Sequence, residues 1–142
     1  KISALEGIYH FGGKIQDNSY PNDLSLFTAE VSEGKFVKCE WVKVKTVGLP
    51  PIGRVDHTME FLPSLQALII IGGRNDIAGA SQDVQTPFLG DIFLLLFEQM
   101  AWTNLRYTNL TLRFERMSNH CMGVMQLMDG QDRILIFGGV TS

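Results

Sequence analysis

Cysteine, proline and long apolar segments are scarce in this sequence. Its 142 residues include only two cysteines, Cys39 and Cys121, and five prolines. Such low cysteine use excludes a disulfide-rich secreted scaffold and favours a reducing compartment. The main apolar runs, residues 67–71 and 92–97, are far shorter than the roughly 20 residues that a membrane-spanning helix requires.

A strong excess of charge of one sign is also missing. The chain carries 12 basic and 15 acidic residues, for a net charge of −3, and the two signs are interspersed. This distribution argues against an electrostatic nucleic-acid surface. The densest basic cluster lies between residues 35 and 45, but Glu40 falls within it and Glu33 just before it. We interpret this cluster as a solvated edge strand, because edge lysines discourage unwanted strand pairing.

A helical spacing of apolar residues is not found over any stretch of ten or more residues. The best candidate, residues 91–100, is too continuously apolar and lies between two strand patterns. Glycine is abundant, with 14 residues, and six of them form three Gly-Gly pairs. Strand patterns rather than helices follow these pairs, which argues against phosphate-binding loops.

Three copies of an apolar run that ends in a Gly-Gly pair organise the chain. The glycines are Gly12 and Gly13, Gly72 and Gly73, and Gly138 and Gly139. The first glycines lie 60 and 66 residues apart, a period typical of repeats that bury their faces against their neighbours. Glycine at these places lets the chain leave a strand with positive φ and little bulk. We therefore assign the pairs a structural role.

Other residues recur in the same order between these glycines. The repeated pairs are Asp23 and Asp91, Trp41 and Trp102, Arg54 and Arg116, and His57 and His120. The distance from the first glycine to the tryptophan is 29 residues in one copy and 30 in the next. Such near-constancy indicates a shared core with variable loops.

Each complete unit is predicted to contain four short strands. In the one complete copy they cover residues 57–62, 66–71, 91–97 and 100–107. In the next copy, Asp129-Gly130 separates two strand patterns and is a strong hairpin signal. The sequence therefore predicts an all-β fold of four-stranded antiparallel units.

This combination resembles the kelch repeat over nearly the whole chain, from residue 7 to residue 139. The resemblance implies a β-propeller fragment: residues 1–53 as a partial first blade (second to fourth strands), 54–115 as a complete second blade, and 116–142 as the first two strands of a third. Propellers typically have four to eight blades. Further blades are therefore expected from the same chain or from other chains. A trimer with two blades per chain would leave a surplus strand.

Several repeated residues have a structural interpretation. Trp41 and Trp102 are predicted to pack between adjacent blades rather than to serve as stacking platforms. Asp23 and Asp91 are predicted to accept backbone hydrogen bonds where the third strand begins. The chain's three histidines are His10, His57 and His120. They are predicted to be structural, because two of them begin equivalent strands a blade apart and no local spacing makes a zinc site.

The loops after the second and fourth strands should emerge on one side, because alternate hairpin connections share a side. We call these loops the rim; they cover residues 14–22, 46–53, 74–90 and 108–115. The third loop is long and polar, as in loops that bind a partner. It contains the polar residues Asn75, Asp76, Gln82 and Asp83 together with Gly79 and Pro87. The opposite side carries residues 28–38, which are predicted to extend their hairpin. The candidate partner-binding residues are Lys14, Arg54, Arg74, Asn75, Asp76 and Arg116.

Arginine at two of these positions has alternative interpretations. In kelch substrate adaptors of cullin ligases, arginines at this place help line the face that grips acidic peptides, so the resemblance implies carboxylate contacts for Arg54 and Arg116. Alternatively, each pairs with a nearby acid or with backbone carbonyls. Arg74 has no arginine at its repeat positions, where Lys14 and Val140 stand, so it is a candidate for a role particular to this protein.

The resemblance implies a non-catalytic protein-interaction or scaffold module without a cofactor or metal. We expect it in the cytoplasm, with a cytoskeletal or ciliary association among the options, as a subunit of an assembly or a substrate adaptor. Neither a nucleic acid nor a membrane is expected as partner. The alternative is an enzyme on the same scaffold, either sugar-isomerising or galactose-oxidase-like. The latter holds copper with histidines and tyrosines, and Tyr9, Tyr20 and Tyr107 show no spacing that singles out such a set.

Overall fold

Nine β-strands form the described part of this computed structural model, which covers residues 7–77, 86–105 and 114–141. They are β1 Ile8–Phe11, β2 Leu24–Ser32, β3 Lys35–Lys43, β4 Thr58–Leu62, β5 Ala67–Ile71, β6 Ile92–Leu96, β7 Ala101–Asn104, β8 Met117–Gln126 and β9 Asp132–Thr141. The strands form three antiparallel sheets: the meanders β1-β2-β3 (sheet 1) and β4-β5-β6-β7 (sheet 2), and the hairpin β8-β9 (sheet 3). The predicted all-β fold with antiparallel sheets is confirmed.

Sheet 2 contains the four strands predicted for the complete repeat. Each observed strand begins within one residue of its predicted start, and the predicted end of the last one, Tyr107, lies outside the described residues. Ile70 pairs with Phe93 and Ile69 with Leu94, so the alternation of a strand places apolar side chains on both faces. Strand β5 is buried along its whole length, which requires a cover on each face.

Sheets 1 and 3 provide these two covers. On one face of sheet 2, Trp102 packs against Phe11 of sheet 1, with ring centroids 5.7 Å apart. On the other face, Ile71 and neighbouring residues pack against Met122 and Ile136 of sheet 3. The three sheets are therefore stacked face to face, and the core lies in the two layers between them.

The Gly-Gly pairs have the same backbone conformation in all three copies. Gly12, Gly72 and Gly138 have φ values of 73°, 58° and 71°, and the second glycines have 96°, 95° and 98°. A Cβ on Gly72 would lie 2.6 Å from the carbonyl oxygen of Met117. That oxygen belongs to the chain that enters sheet 3. The positive φ and the close approach together explain why no side chain occupies this place.

The β2–β3 hairpin is longer than its counterpart in sheet 2. Each of its strands has nine residues, whereas β6 has five and β7 has four. Its turn, Glu33-Gly34, has φ of 50° and 75°, and two successive positive values fit a type I′ turn. The predicted extension over residues 28–38 is confirmed. Within the described ranges, no helix has the length and apolar character needed to cross a membrane.

Candidate functional site: a polar surface formed by three loops

Side-chain and backbone hydrogen bonds hold the described parts of the rim together. The Tyr20 hydroxyl donates to the Asp76 carboxylate over 2.6 Å, and the Asn75 side-chain amide donates to the carbonyl oxygen of Gly53. The loops that follow β1, β3 and β5 therefore lie side by side, as the hairpin topology predicts. Residues 78–85 and 108–113 of the rim, including Gly79, Gln82 and Asp83, lie outside the described residues.

Arg74 is at the centre of a polar cluster on this surface. Its Nε atom lies 3.5 Å from Asp56 Oδ2 and its Nη2 atom 3.6 Å from Asp76 Oδ2. Asp76 is fixed from the other side by Tyr20, and Lys14 Nζ lies 5.6 Å from the centroid of the Tyr20 ring. We call these five residues the Arg74 cluster. It joins two residues of the loop after β1, one of the loop before β4 and two of the loop after β5.

Two hydrogen bonds fix the backbone of Arg74, although its side chain reaches solvent. Arg74 N donates to Val55 O over 2.8 Å, and Val55 N donates to Arg74 O over 3.0 Å. The side chain is 40 % exposed and makes no hydrogen bond to any described residue, because its two carboxylate contacts are longer than a hydrogen bond. These backbone hydrogen bonds thus hold in place a guanidinium whose donors no residue in the described ranges uses.

Tyr20 and Asp56 belong to this cluster but were not among the candidate partner-binding residues. Tyr20 and Asp76 are 56 residues apart in sequence, and no local pattern links them. Asp56 lies directly before the repeated His57, and its φ of 55° matches the 56° of Asn119 in the next repeat. Its repeat position was visible in the sequence, but its proximity to Arg74 depends on the β-bridge between Val55 and Arg74.

Asn75 has a structural role in this loop and does not belong to the contact surface. Its side chain is buried, and its Oδ1 atom accepts a hydrogen bond from Ile77 N over 2.9 Å. This is the local geometry with which Asn stabilises a turn. Its side-chain amide also holds the neighbouring loop at Gly53. The prediction that Asn75 contacts a partner is therefore corrected.

Arg54 is likewise removed from the contact surface, because it is fully buried. Its guanidinium forms a two-pronged pair with the carboxylate of Asp91, with Nη2 2.8 Å from Oδ2. It also donates to the carbonyl oxygens of Gly72 and Ile52, over 2.8 Å and 3.0 Å. Of the two interpretations of Arg54, the pairing with an acid and with backbone carbonyls is the one observed.

The two repeated aspartates therefore do not have the predicted role. Among the described residues, the Asp91 carboxylate accepts from the Arg54 side chain and from no backbone group. Asp23, at the same place in sheet 1, forms an ion pair with Lys43 at 2.8 Å. Each carboxylate directly precedes an inner strand and meets a basic side chain there.

Arg116 is not the structural counterpart of Arg54. Gly13 N donates to Arg54 O over 2.9 Å, and in the next repeat Gly73 N donates to Met117 O over 2.8 Å. Met117 therefore takes the place of Arg54, and the extra residue before His120 displaces Arg116 by one position. Arg116 is half-buried and makes no ion pair or hydrogen bond within the described ranges. It remains a candidate contact residue.

His57 and His120 occupy equivalent places beside the glycine of the preceding unit. His120 Nε2 lies 2.7 Å from Thr58 Oγ1, and the ring of His57 meets Phe11 edge-on at 5.8 Å. Burial lowers the pKa of His57 to about 4, and the positive charge of Arg54 adds to this effect. Burial also lowers the pKa of His120. Both rings are therefore neutral at pH 7, which fits a structural role.

The two repeated tryptophans differ in their surroundings. Trp102 is buried between sheets 1 and 2, and its Nε1–H donates to Thr46 Oγ1 over 3.1 Å. Its predicted packing role between adjacent sheets is confirmed. Trp41 is 60 % exposed on the outer face of sheet 1. It contacts Phe27 and His10 of its own sheet, with ring centroids 5.2 Å and 6.0 Å away.

No protein-family model matches this sequence, and no curated protein is significantly similar to it.

Proposed function

We propose that this chain is part of a kelch-type β-propeller that works, without catalysis, as a protein-interaction module. Two observations support the propeller. Four-stranded sheet 2 is covered on both faces by sheets formed from the neighbouring copies of the repeat. The glycine pairs have matching conformations at the same corner of each sheet. Blades of a propeller are stacked in this way around a common axis. The outer faces of sheets 1 and 3 then receive further blades.

The Arg74 cluster carries the functional part of this proposal. Two backbone hydrogen bonds fix Arg74, the cluster lies on loops gathered at one side of the sheets, and it presents a guanidinium whose donors no described residue fills. Binding residues are commonly found on loops that a rigid scaffold positions. The half-buried Arg116 and the exposed Lys14 add positive charge to the same rim.

We propose an acidic peptide as the partner. A carboxylate accepts two parallel hydrogen bonds from a guanidinium, and it can displace the long contacts of Arg74 with Asp56 and Asp76. These two aspartates make the site selective, because a carboxylate gains by binding only if it reaches Arg74 closely enough to outweigh their repulsion. We place the interaction in the cytoplasm, since Cys39 and Cys121 are both free and exposed and the chain is poor in cysteine.

The test is a binding assay with short peptides that contain Asp and Glu, each beside a version with Asn and Gln. We expect binding of the acidic versions alone. Arg74→Ala should weaken it at least about tenfold, which corresponds to 1.4 kcal/mol. Arg74→Lys should restore only part of the affinity, because an ammonium group lacks the two-pronged geometry.

Arg133→Ala is the matched control. Arg133 has a similar side-chain exposure, 44 %, and is also paired with an aspartate, but it lies at the β8–β9 turn, away from the rim. Its replacement should leave the affinity unchanged. Equal binding of acid and amide peptides, or an unchanged affinity of Arg74→Ala, would contradict the proposed site.

A further inference from the structure

Two isoleucines of the rim have exposed side chains beside the Arg74 cluster. Ile52, in the loop after β3, is 43 % exposed, and Ile77, in the loop after β5, is 59 % exposed. Both belong to loops at one end of the sheets, not to the outer faces of sheets 1 and 3. Singly exposed apolar side chains are normal on a protein surface, so the relation of the two isoleucines to each other and to Arg74 decides their meaning.

The two isoleucines occupy matching positions in a pair of antiparallel segments. Val55 and Arg74 form an antiparallel β-bridge, with a backbone hydrogen bond in each direction. Ile52 lies three residues before Val55, and Ile77 lies three residues after Arg74. Both are therefore beyond the bridge in the same direction. An antiparallel pair places residues equally far from a bridge opposite each other.

Hydrogen bonds hold these two segments together as far as the isoleucines. The Asn75 side-chain amide donates to Gly53 O, and Asn75 Oδ1 accepts from Ile77 N over 2.9 Å. Ile52 O accepts from the buried Arg54 side chain over 3.0 Å. The two residues, which we call the isoleucine pair, are thus neighbours that are each anchored in the free chain. A partner that buries them does not first have to order their backbone.

The isoleucine pair also lies within reach of the Arg74 guanidinium. Three residues of chain span at most ~11 Å, which limits the distance between the backbones of Arg74 and Ile77. Asp76, whose carboxylate faces Arg74, directly precedes Ile77. An extended peptide presents alternate side chains on one face, about 7 Å apart. Two such side chains can therefore reach Arg74 and the isoleucine pair at the same time.

We propose that the acidic peptide carries a large apolar residue two positions from its acidic residue. This apolar side chain packs on Ile52 and Ile77 while the carboxylate binds Arg74. The inference rests on the proposed function and narrows it to one kind of peptide. Combining a charged and an apolar contact gives specificity, because a peptide that has only one of the two groups loses the affinity of the other contact.

The test uses peptides in which Asp or Asn is combined with Leu or Ser two positions away, in both orders. For the unaltered chain, an Asp peptide with Leu should bind about five- to tenfold more tightly than the same peptide with Ser. Ile52→Ser and Ile77→Ser should each lower this Leu preference at least about twofold, and the double variant should abolish it. The preference for Asp over Asn should persist in all three variants, because Arg74 is unchanged.

Leu65→Ser is the matched control, because Leu65 is 54 % exposed at the β4–β5 turn, at the other end of sheet 2 from the rim. This variant should keep the full Leu preference, and thermal unfolding shows that each variant is folded. Equal binding of Leu and Ser peptides, or a Leu preference that survives the double isoleucine variant, would overturn this inference and leave the acidic-peptide site standing. Absence of any preference for Asp would instead overturn the proposed function and this inference with it.

Discussion

The fully buried Arg54 guanidinium and the largely buried Asp91 carboxylate form an ion pair at the start of sheet 2. Arg54 lies before β4 and Asp91 directly before β6, 37 residues later. The same guanidinium also binds the carbonyl oxygen of Gly72, at the end of β5. One side chain therefore joins the segment that leaves sheet 1 to the loop that connects β5 and β6. Its positive charge also stacks on the ring of Phe93, with the guanidinium carbon 5.8 Å from the centroid.

Replacing Arg54 by Ala should destabilise the fold strongly. Removal of one partner from a buried pair costs about 3–5 kcal/mol, because the remaining group loses its compensation. Arg54→Lys should recover part of this loss, since it keeps the charge but not the forked geometry. Urea unfolding measures the effect. Arg116→Ala should change stability by only about 0.5 kcal/mol, and equal losses for the two variants would contradict the assigned roles.

The two tryptophans should differ in their contribution to stability. Trp102→Ala removes a ring packed between two sheets and should cost about 3–5 kcal/mol. Trp41→Ala removes a largely exposed ring and should cost much less. Urea unfolding of the two variants measures both losses. If Trp41→Ala were as damaging as Trp102→Ala, the packing argument would fail.

The free energy of unfolding should decrease as the pH is lowered, because of His57. Its pKa is lowered to about 4 in the folded chain, against about 6.5 unfolded. Protonation therefore favours the unfolded chain, so the contribution of the neutral ring is complete above pH 6.5 and is lost as the pH falls from 6.5 to 4. The groups that act on the ring are Arg54, His10 and His120. At 1.36 kcal/mol per pH unit, the loss is on the order of 3 kcal/mol.

Comparison of unfolding free energies at pH 7 and pH 4.5 isolates this effect. His57→Gln should show a smaller decrease with acid than the unaltered chain. His10→Gln changes an exposed ring that makes only a smaller contribution to the lowered pKa of His57, so it should keep most of the decrease. An identical pH dependence for His57→Gln and the unaltered chain would show that His57 is accessible to protons in the folded state.

Gly72 and Gly34 provide a test of the close approach between sheets. Both have positive φ, 58° and 75°, so Ala at either place is strained by about 1–2 kcal/mol. At Gly34 a Cβ meets nothing within 4 Å, whereas at Gly72 it would collide with Met117 O. Gly72→Ala should therefore cost roughly 2–5 kcal/mol in total. Thermal unfolding that shows equal losses would indicate that the chain near Met117 shifts at little cost.

Much of the fold was predictable because it depends on short-range patterns. The short apolar runs, the glycine pairs and the tryptophan spacing predicted the strands of sheet 2 and their antiparallel order. The long β2–β3 hairpin was visible in the sequence, because Asp23 and Trp41 are further apart than Asp91 and Trp102. The sequence could not show whether Arg116 occupies the structural place of Arg54, because one inserted residue shifts the alignment without changing the motif. Only the bond from Gly73 to Met117 O shows which residue takes the place of Arg54.

The chain's own residues determined where strands form and where glycine is required, because backbone conformation and strand alternation are set by neighbours in sequence. Tertiary packing decided which of the similar side chains are available to a partner. Arg54, Asn75 and Arg74 look alike as polar loop residues, yet the first two are buried and satisfied, and the third reaches solvent. The reason is that burial and pairing depend on groups such as Asp91, Gly53 and Asp56, which come close only when the loops of different sheets meet.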